Sequence, residues 1–254
     1  MNRLDAKSVV VGVNGSRAAV NAAVWAIDEA LSRQLPLRLV YVIARREAQI
    51  GSVSEQDFER GEMALSQAES AVSGVGKPIE VETSVLSGNP AHVLINESQN
   101  AALICVGTAR RGSASGGLLG PTAAALVAGV QCQVAIIRTN PDGSSPELGV
   151  IAVVLNDEPD NDEVVHQAME EARRRHATVR QIDRRLNSWV RRYPDVQVQT
   201  VGCGRGQRAV EKQSSAIELA VVGSVDAEKI AELATPNCHP IVGYPDCSVL
   251  VVRN

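Results

Sequence analysis

The chain has 254 residues, enough for two ordinary domains. It draws 44% of them from the hydrophobic set but only 2% from the aromatic rings, so its core must be built from Ala, Val, Leu and Ile. The formal net charge is −4, with twelve basic and twelve acidic residues in 1–140, then thirteen and seventeen, which excludes the basic excess that binding a nucleic-acid backbone requires. Five scattered cysteines without ligand spacing exclude a disulfide framework and a zinc site and fit a reducing cytoplasm; with no apolar core in 1–8 and no run of about eighteen apolar residues, the protein is expected to be unexported and off the membrane.

Along the chain, strand-length apolar runs alternate with helix-length amphipathic segments. Residues 9–13 form the first run and end in the turn formers Asn14 and Gly15. Ser16 then stands as a cap before a helix over 18–33, where Ala22, Trp25, Ala26, Glu29 and Ala30 recur at helical spacing. Further runs at 37–43, 79–86, 103–106 and 134–137 complete a first set of five strands. Residues 139–148, with Asn-Pro-Asp-Gly-Ser-Ser-Pro, read as a linker. A second set follows at 150–155, 179–182, 196–201, 219–222 and 249–252. Alternating strands and helices imply parallel strands joined by right-handed crossovers, so each half is read as a five-stranded doubly wound α/β unit, with domains at 1–140 and 149–254.

The two sets also align residue by residue. Asn14 falls on Asn156, and at the same offset Ala26, Glu29 and Ala30 fall on Ala168, Glu171 and Ala172. At a shorter offset Leu103, Val106, Gly107 and Thr108 fall on Leu219, Val222, Gly223 and Ser224. The change of offset means that the second copy has lost about 26 residues, placed around 45–71 of the first.

Val10-Val-Gly-Val-Asn-Gly-Ser16, the helix Ala-Val-Trp25-Ala-Ile-Asp-Glu-Ala30, Pro36-Leu-Arg-Leu-Val-Tyr-Val42, Gly88-x-Pro90 and Leu103-Ile-Cys-Val-Gly-Thr108 together resemble a universal stress protein domain. In the second half, Trp189-Val-Arg-Arg-Tyr-Pro-Asp-Val196 and Val221-Val-Gly-Ser224 are similar to parts of tandem actinobacterial members. The resemblance implies a Rossmann-like parallel sheet in the order 3-2-1-4-5. It also implies ATP or another adenine nucleotide at the carboxyl ends of the strands, where open α/β sheets form their crevice.

The family's signature, G-x2-G-x9-G-[S/T], starts at the end of the fourth strand. Here the register gives Gly107, Thr108, Ala109 and Arg110, then nine residues to Gly120 and Pro121, so two of four positions match. Arg110 replaces a glycine that lets backbone approach phosphate; it or Arg111 either contacts an anion through its guanidinium or is a solvated loop arginine. Pro121 removes a hydroxyl and an N–H, yet suits a first helical turn, and Thr122 is the nearest replacement hydroxyl. Gly112, Gly116 and Gly117 keep the loop small. Asn14 and Gly15 take the place of the family's Asp-Gly turn, and Asn14 is read either as a contact to the adenosine portion or as a turn residue alone. Val42 matches the position whose backbone lies against the base.

In the second copy Asp157-Glu158-Pro159 follows the first strand, and Asp226 and Glu228 stand where the glycine loop would be; these carboxylates repel phosphate, so no nucleotide is expected there. His92, His166, His176 and His239 have neither metal nor triad spacing and read as surface residues, Arg173 to Arg175 as a solvated helix face, Cys105 and Cys132 as core residues, and Trp25 and Trp189 as packing anchors. The expected protein is a non-enzymatic stress-response module with one adenine-nucleotide site at Asn14, Gly15, Val42, Gly107, Thr108, Arg110, Gly112, Gly120 and Thr122, or with none. The alternative is a nucleotide-independent scaffold of the same fold with a protein partner, its halves forming an internal pseudo-dimer or two chains a homodimer. A slow ATPase is disfavoured, because no carboxylate pair for a metal and no P-loop lysine is found.

Overall fold

The computed structural model describes residues 7–45, 54–109, 119–140, 142–144, 149–153, 161–182, 187–201, 218–224 and 247–253. The chain divides into two compact units, Met1–Ser145 and Pro146–Asn254.

The first unit runs β1 (Ser8–Val13), α1 (Arg17–Arg33), β2 (Leu37–Ala44), α2 (Glu55–Gly74), β3 (Val81–Gly88), α3 (Pro90–Glu97) with a short 3₁₀ turn after it, β4 (Ala101–Ala109), α4 (Pro121–Gly129) and β5 (Gln133–Thr139). Its strands lie in the order β3-β2-β1-β4-β5 and every ladder is parallel. Helix α1 packs beside α2, and α3 beside α4. Val9, Val10, Val11 and Val13 of β1 are all buried, as expected of a central parallel strand covered on both faces. Burying each such side chain stabilises the fold by about 1.5–3 kcal/mol.

Helix α1 begins where its sequence says it should: Ser16 Oγ accepts the Ala19 N–H at 3.2 Å. It ends at Gln34 in the left-handed conformation (φ 55°), whose N–H reaches the Ala30 and Leu31 carbonyls. Six of its nine buried residues are alanines, and its first turn comes close to β4, where a Cβ on Gly107 would strike the Ala18 backbone.

The second unit runs β6 (Val150–Val153), α5 (Asn161–Arg175), β7 (Thr178–Ile182), α6 (Asn187–Val190), β8 (Val198–Val201), β9 (Leu219–Gly223) and β10 (Ser248–Val252). Its order, β8-β7-β6-β9-β10, repeats that of the first unit, again with parallel ladders. Helix α5 also closes on a left-handed residue, His176 (φ 53°), at the offset that joins Gln34 to it. The missing residues fall on α2: residues 45–80 link the second and third strands of the first unit, against 183–197 in the second, where the described helix is the single turn α6.

Two strand starts lie later than the apolar runs suggest. Ile79 N–H bonds to Lys77 O and Val196 N–H to Tyr193 O, so both residues close turns before β3 and β8 begin. The segment expected to link the copies opens with structure belonging to the first unit. Thr139 ends β5, Asn140 N–H bonds to Ser144 O at 3.0 Å, and Asn21 Nδ2 donates to Thr139 Oγ1 and Gly143 O.

One buried carboxylate recurs. Glu29 on α1 and Glu171 on α5 are fully buried; Glu29 pairs with Arg33 at 2.6 Å, and Glu171 with Arg174 at 2.6 Å and Arg175 at 2.9 Å. The expected solvated face of Arg173, Arg174 and Arg175 is therefore corrected for two of the three, because a buried carboxylate needs a paired cation beside it.

Candidate functional site

Parallel pairing sets Gly12 of β1 beside Val106 of β4 and Val13 beside Tyr41 of β2, so the three strands finish at one edge. Asn14 and Gly15 follow β1 there, Val42 lies one residue past Tyr41, and Gly107 and Thr108 close β4. Because β5 runs parallel to β4, α4 must run back from the same edge, which brings its cap Gly120 and its residue Thr122 to it. Seven of the nine sequence-derived residues thus meet at the carboxyl edge of the first sheet. Arg110 and Gly112 lie outside the described residues, as do Arg111, Gly116 and Gly117.

Several of these groups already serve the fold. Asn14 Oδ1 accepts the Ser16 N–H at 3.1 Å, and Gly15 has φ +75°, so the turn reading of Asn14 is realised. Gly107 is a packing glycine: a Cβ there would lie 1.9 Å from the Ala18 carbonyl oxygen and 2.6 Å from the Ala19 nitrogen, at the start of α1. Pro121 occupies the first turn of α4, and Gly120 caps it without a side-chain bond. The Ala124 N–H bonds to Gly120 O, which leaves the N–H groups of Thr122 and Ala123 at the helix start for an outside acceptor. Thr108 and Thr122 are half-buried at the same edge.

Sequence reading missed two charges next to this edge. Arg17 is exposed on the first turn of α1, and Asp142 sits close enough to feel its charge. The Ser144 N–H and hydroxyl, bonded to Asp142 at 2.8 and 2.7 Å, hold its carboxyl below the ordinary carboxylate range, and Arg17 adds to this.

In the second unit Gly223 ends β9 at the equivalent edge and Ser224 follows it. Among the described residues, a Cβ at Gly223 would meet only Val164 Cγ2, at an ordinary 3.5 Å. Asn156, Asp157, Glu158, Pro159, Asp226 and Glu228 lie outside the described residues.

A feature the sequence did not suggest lies on the flank of the second unit. Asp162, Glu163, His166 and Arg173 of α5, with Trp189 of α6 and Arg192 and Tyr193 beyond it, line a cavity of about 440 Å³. Trp189 and Tyr193 stand 6.3 Å apart at 26°, and His166 is 6.3 and 6.2 Å from them. The Arg192 guanidinium lies 4.8 Å over the Trp189 ring and that of Arg173 4.6 Å over Tyr193. Arg173 also grips both oxygens of Asp195, at 2.7 and 3.1 Å, which lowers the Asp195 carboxyl's pKa and raises that of the guanidinium. Tyr193 Oη lies 2.6 Å from His166 Nδ1, and burial, reinforced by a bond to Glu170, pushes its hydroxyl up to about 12. Trp25 is a buried anchor as expected, whereas Trp189, on the single turn α6, is half-exposed at this cavity.

Cys105 is buried in β4, while Cys132 is half-buried in the turn before β5, where its Sγ meets the Gln133 carbonyl. Among the described residues no group of His, Cys, Asp and Glu could hold a metal ion, and no helix is long and apolar enough to cross a membrane.

Comparison with known proteins gives a consistent picture. The model of the universal stress protein family matches residues 6–138. A universal stress protein of Mycobacterium tuberculosis strain H37Rv is 36% identical over 263 residues, covering 97% of this chain and 96% of the relative. A second from the same strain is 35% identical over 274 residues, covering 98% and 97%. The crystal structure of a universal stress protein from Archaeoglobus fulgidus aligns over 97% of this chain and 96% of that one with a TM-score of 0.65 at 13% identity, which speaks to the fold alone.

Proposed function

The chain belongs to the universal stress protein family, and from that premise we propose that it acts as a regulatory stress-response module whose first unit takes one adenine nucleotide at the carboxyl edge of its sheet. The observation that carries this reading is the gathering of Asn14, Val42, Thr108 and the uncapped start of α4 at one edge, beside the end of the central strand. The N–H groups of Thr122 and Ala123 and the hydroxyls of Thr108 and Thr122 are a donor set suited to phosphate oxygens, and the start of a helix favours negative charge. Asn14 keeps an amide nitrogen that no described residue engages, free to donate to a ribose or base. Arg110 and Gly112 belong to the same reading through the signature they sit in. No step of chemistry is required: a nucleotide that binds one conformation or association state better than another shifts the balance between them.

A second reading, a nucleotide-independent scaffold, is favoured by one specific fact. Asn14, Gly107 and Pro121, three residues at motif positions, already have structural work in the turn, the strand-to-helix contact and the helix start.

Denaturing the purified full chain and analysing released small molecules by mass spectrometry, with calorimetric titration of ATP, AMP and cyclic AMP, separates the two. The nucleotide reading expects one site per chain, weakened about tenfold or more by Thr122→Pro, which removes an N–H and a hydroxyl together. No co-purified nucleotide and no binding heat at about 1 mM ligand would leave the scaffold reading standing.

A further inference from the structure

We propose that the cavity beside α5 binds a small zwitterion of the amino-acid or dipeptide class, its amine held by Asp162 and Glu163, its carboxylate by Arg192, and its body against Trp189. This goes beyond the nucleotide reading and does not rest on it, since the cavity lies wholly within the second unit.

The cavity arises from the trimming of the repeat. In the first unit α2 packs along α1, and Lys77 just beyond it pairs with Asp28. At the repeat offset, Asp28 corresponds to Glu170, Val20 and Asn21 to Asp162 and Glu163, Val24 to His166 and Leu31 to Arg173. The flank beside the shortened connection has exchanged Val24 and Leu31 for a histidine and an arginine, and Trp189 and Tyr193, two of the chain's six Phe, Trp and Tyr residues, gather there with His166.

The chemistry of the ligand follows from which groups are already engaged. Arg173 is held by Asp195 and Glu170, His166 by Tyr193, and one Glu163 oxygen by Gln167. Among the described residues, those left for a ligand are the Asp162 carboxylate, the second Glu163 oxygen, and the Arg192 guanidinium, which lies on Trp189 with no described carboxylate paired to it. Asp162 and Glu163 lie in the first turn of α5, and Arg192 lies beyond α6 over the Trp189 ring, so the lining offers its open acidic and basic groups from different segments of the chain. A nucleotide fits poorly: Asp162, Glu163, Glu170 and Asp195 outnumber Arg173 and Arg192, and a phosphate would meet that excess. A purely cationic ligand meets Arg192 on the indole face. A molecule with an amine at one end and a carboxylate at the other satisfies both kinds of open group, and a dipeptide is of the right size for about 440 Å³.

The test uses leucyl-leucine with its N-acetylated and C-amidated forms, titrated against the full chain by tryptophan fluorescence and calorimetry. The chain has two tryptophans, and Trp25 is only 8% exposed, so a ligand-induced change in emission reports Trp189. Saturable binding is expected, weakened about tenfold by either blocking group. Asp162→Asn with Glu163→Gln should erase the preference for the free amine over the acetylated form while keeping that for the acid over the amide, and Arg192→Gln should do the reverse. The inference is overturned if all three compounds bind alike, if neither signal changes up to about 10 mM, or if AMP alters the Trp189 emission and Arg192→Gln abolishes that effect.

Discussion

The fourth strand of the first unit ends pressed against a helix, whereas the matching strand of the second meets no close backbone among the described residues. A Cβ on Gly107 would strike the backbone of Ala18 and Ala19; one on Gly223 would touch a valine methyl at a normal distance. Both glycines sit at the position where the family's signature begins, yet the described surroundings demand a glycine only at Gly107. A glycine in a phosphate-loop pattern is thus no evidence of phosphate until its backbone surroundings are known, because close helix packing asks for the same residue.

The largest effect should come from testing that contrast directly. Gly107→Ala is expected to destabilise the protein by about 3 kcal/mol or more, since the clash is with backbone and no rotamer can relieve it. Gly223→Ala should cost less than about 1 kcal/mol. Equilibrium urea unfolding of both variants reads the difference, and equal losses would mean that the two strand ends are packed alike.

A second pair of substitutions tests what the units share rather than where they part. Glu29→Ala and Glu171→Ala each remove a fully buried carboxylate and with it an ionic partner of Arg33 in one case and of Arg174 and Arg175 in the other. Those arginines keep some contact with solvent, so the expected cost is about 2–3 kcal/mol in each unit, below that of orphaning a fully buried ion. Thermal or urea unfolding measures it. A loss confined to one variant would show that the α1 and α5 surroundings are not equivalent, in spite of the matching left-handed ends at Gln34 and His176.

Most of the fold could be read from the sequence because its signals are local and redundant. Val/Ile/Leu runs mark covered parallel strands, Ser16 marks the start of α1, and the offset between the copies locates the loss at α2. The seven described residues of the nucleotide reading could be placed at one edge because parallel topology fixes where strands end. What the sequence did not convey depends on distances across the chain. The contact of Gly107 with Ala18 spans a strand and a helix. The cavity at Trp189 lies where the described helix between β7 and β8 is a single turn, flanked by segments that each look ordinary. A signal was present even so: a chain with 2% aromatic residues that places Trp189 and Tyr193 one helical turn apart, opposite His166, has concentrated its rings in one place.

The smallest expected effect separates the flanks of the two units by pH. Burial raises the Tyr193 hydroxyl to about 12, from an ordinary value of 10.0, because ionisation would place a phenolate in the cavity wall beside Glu170. A group whose acidity is weakened on folding contributes stability that is fully present below its unfolded value and is lost as the pH rises through its folded one. The second unit should therefore lose stability between about pH 10 and 12, where the unfolded phenol ionises and the folded one does not. Tyr193→Phe removes that dependence along with the bond to His166. Ultraviolet difference titration of the tyrosines should show a late-ionising component absent from the variant, and the gap between the two proteins in unfolding midpoint should narrow across that window. If Tyr193 ionised with the ordinary phenols, the cavity wall would be wetter and looser than the packing of Trp189, His166 and Arg173 around it implies, and the flank left by the lost helix would be plain surface and no pocket.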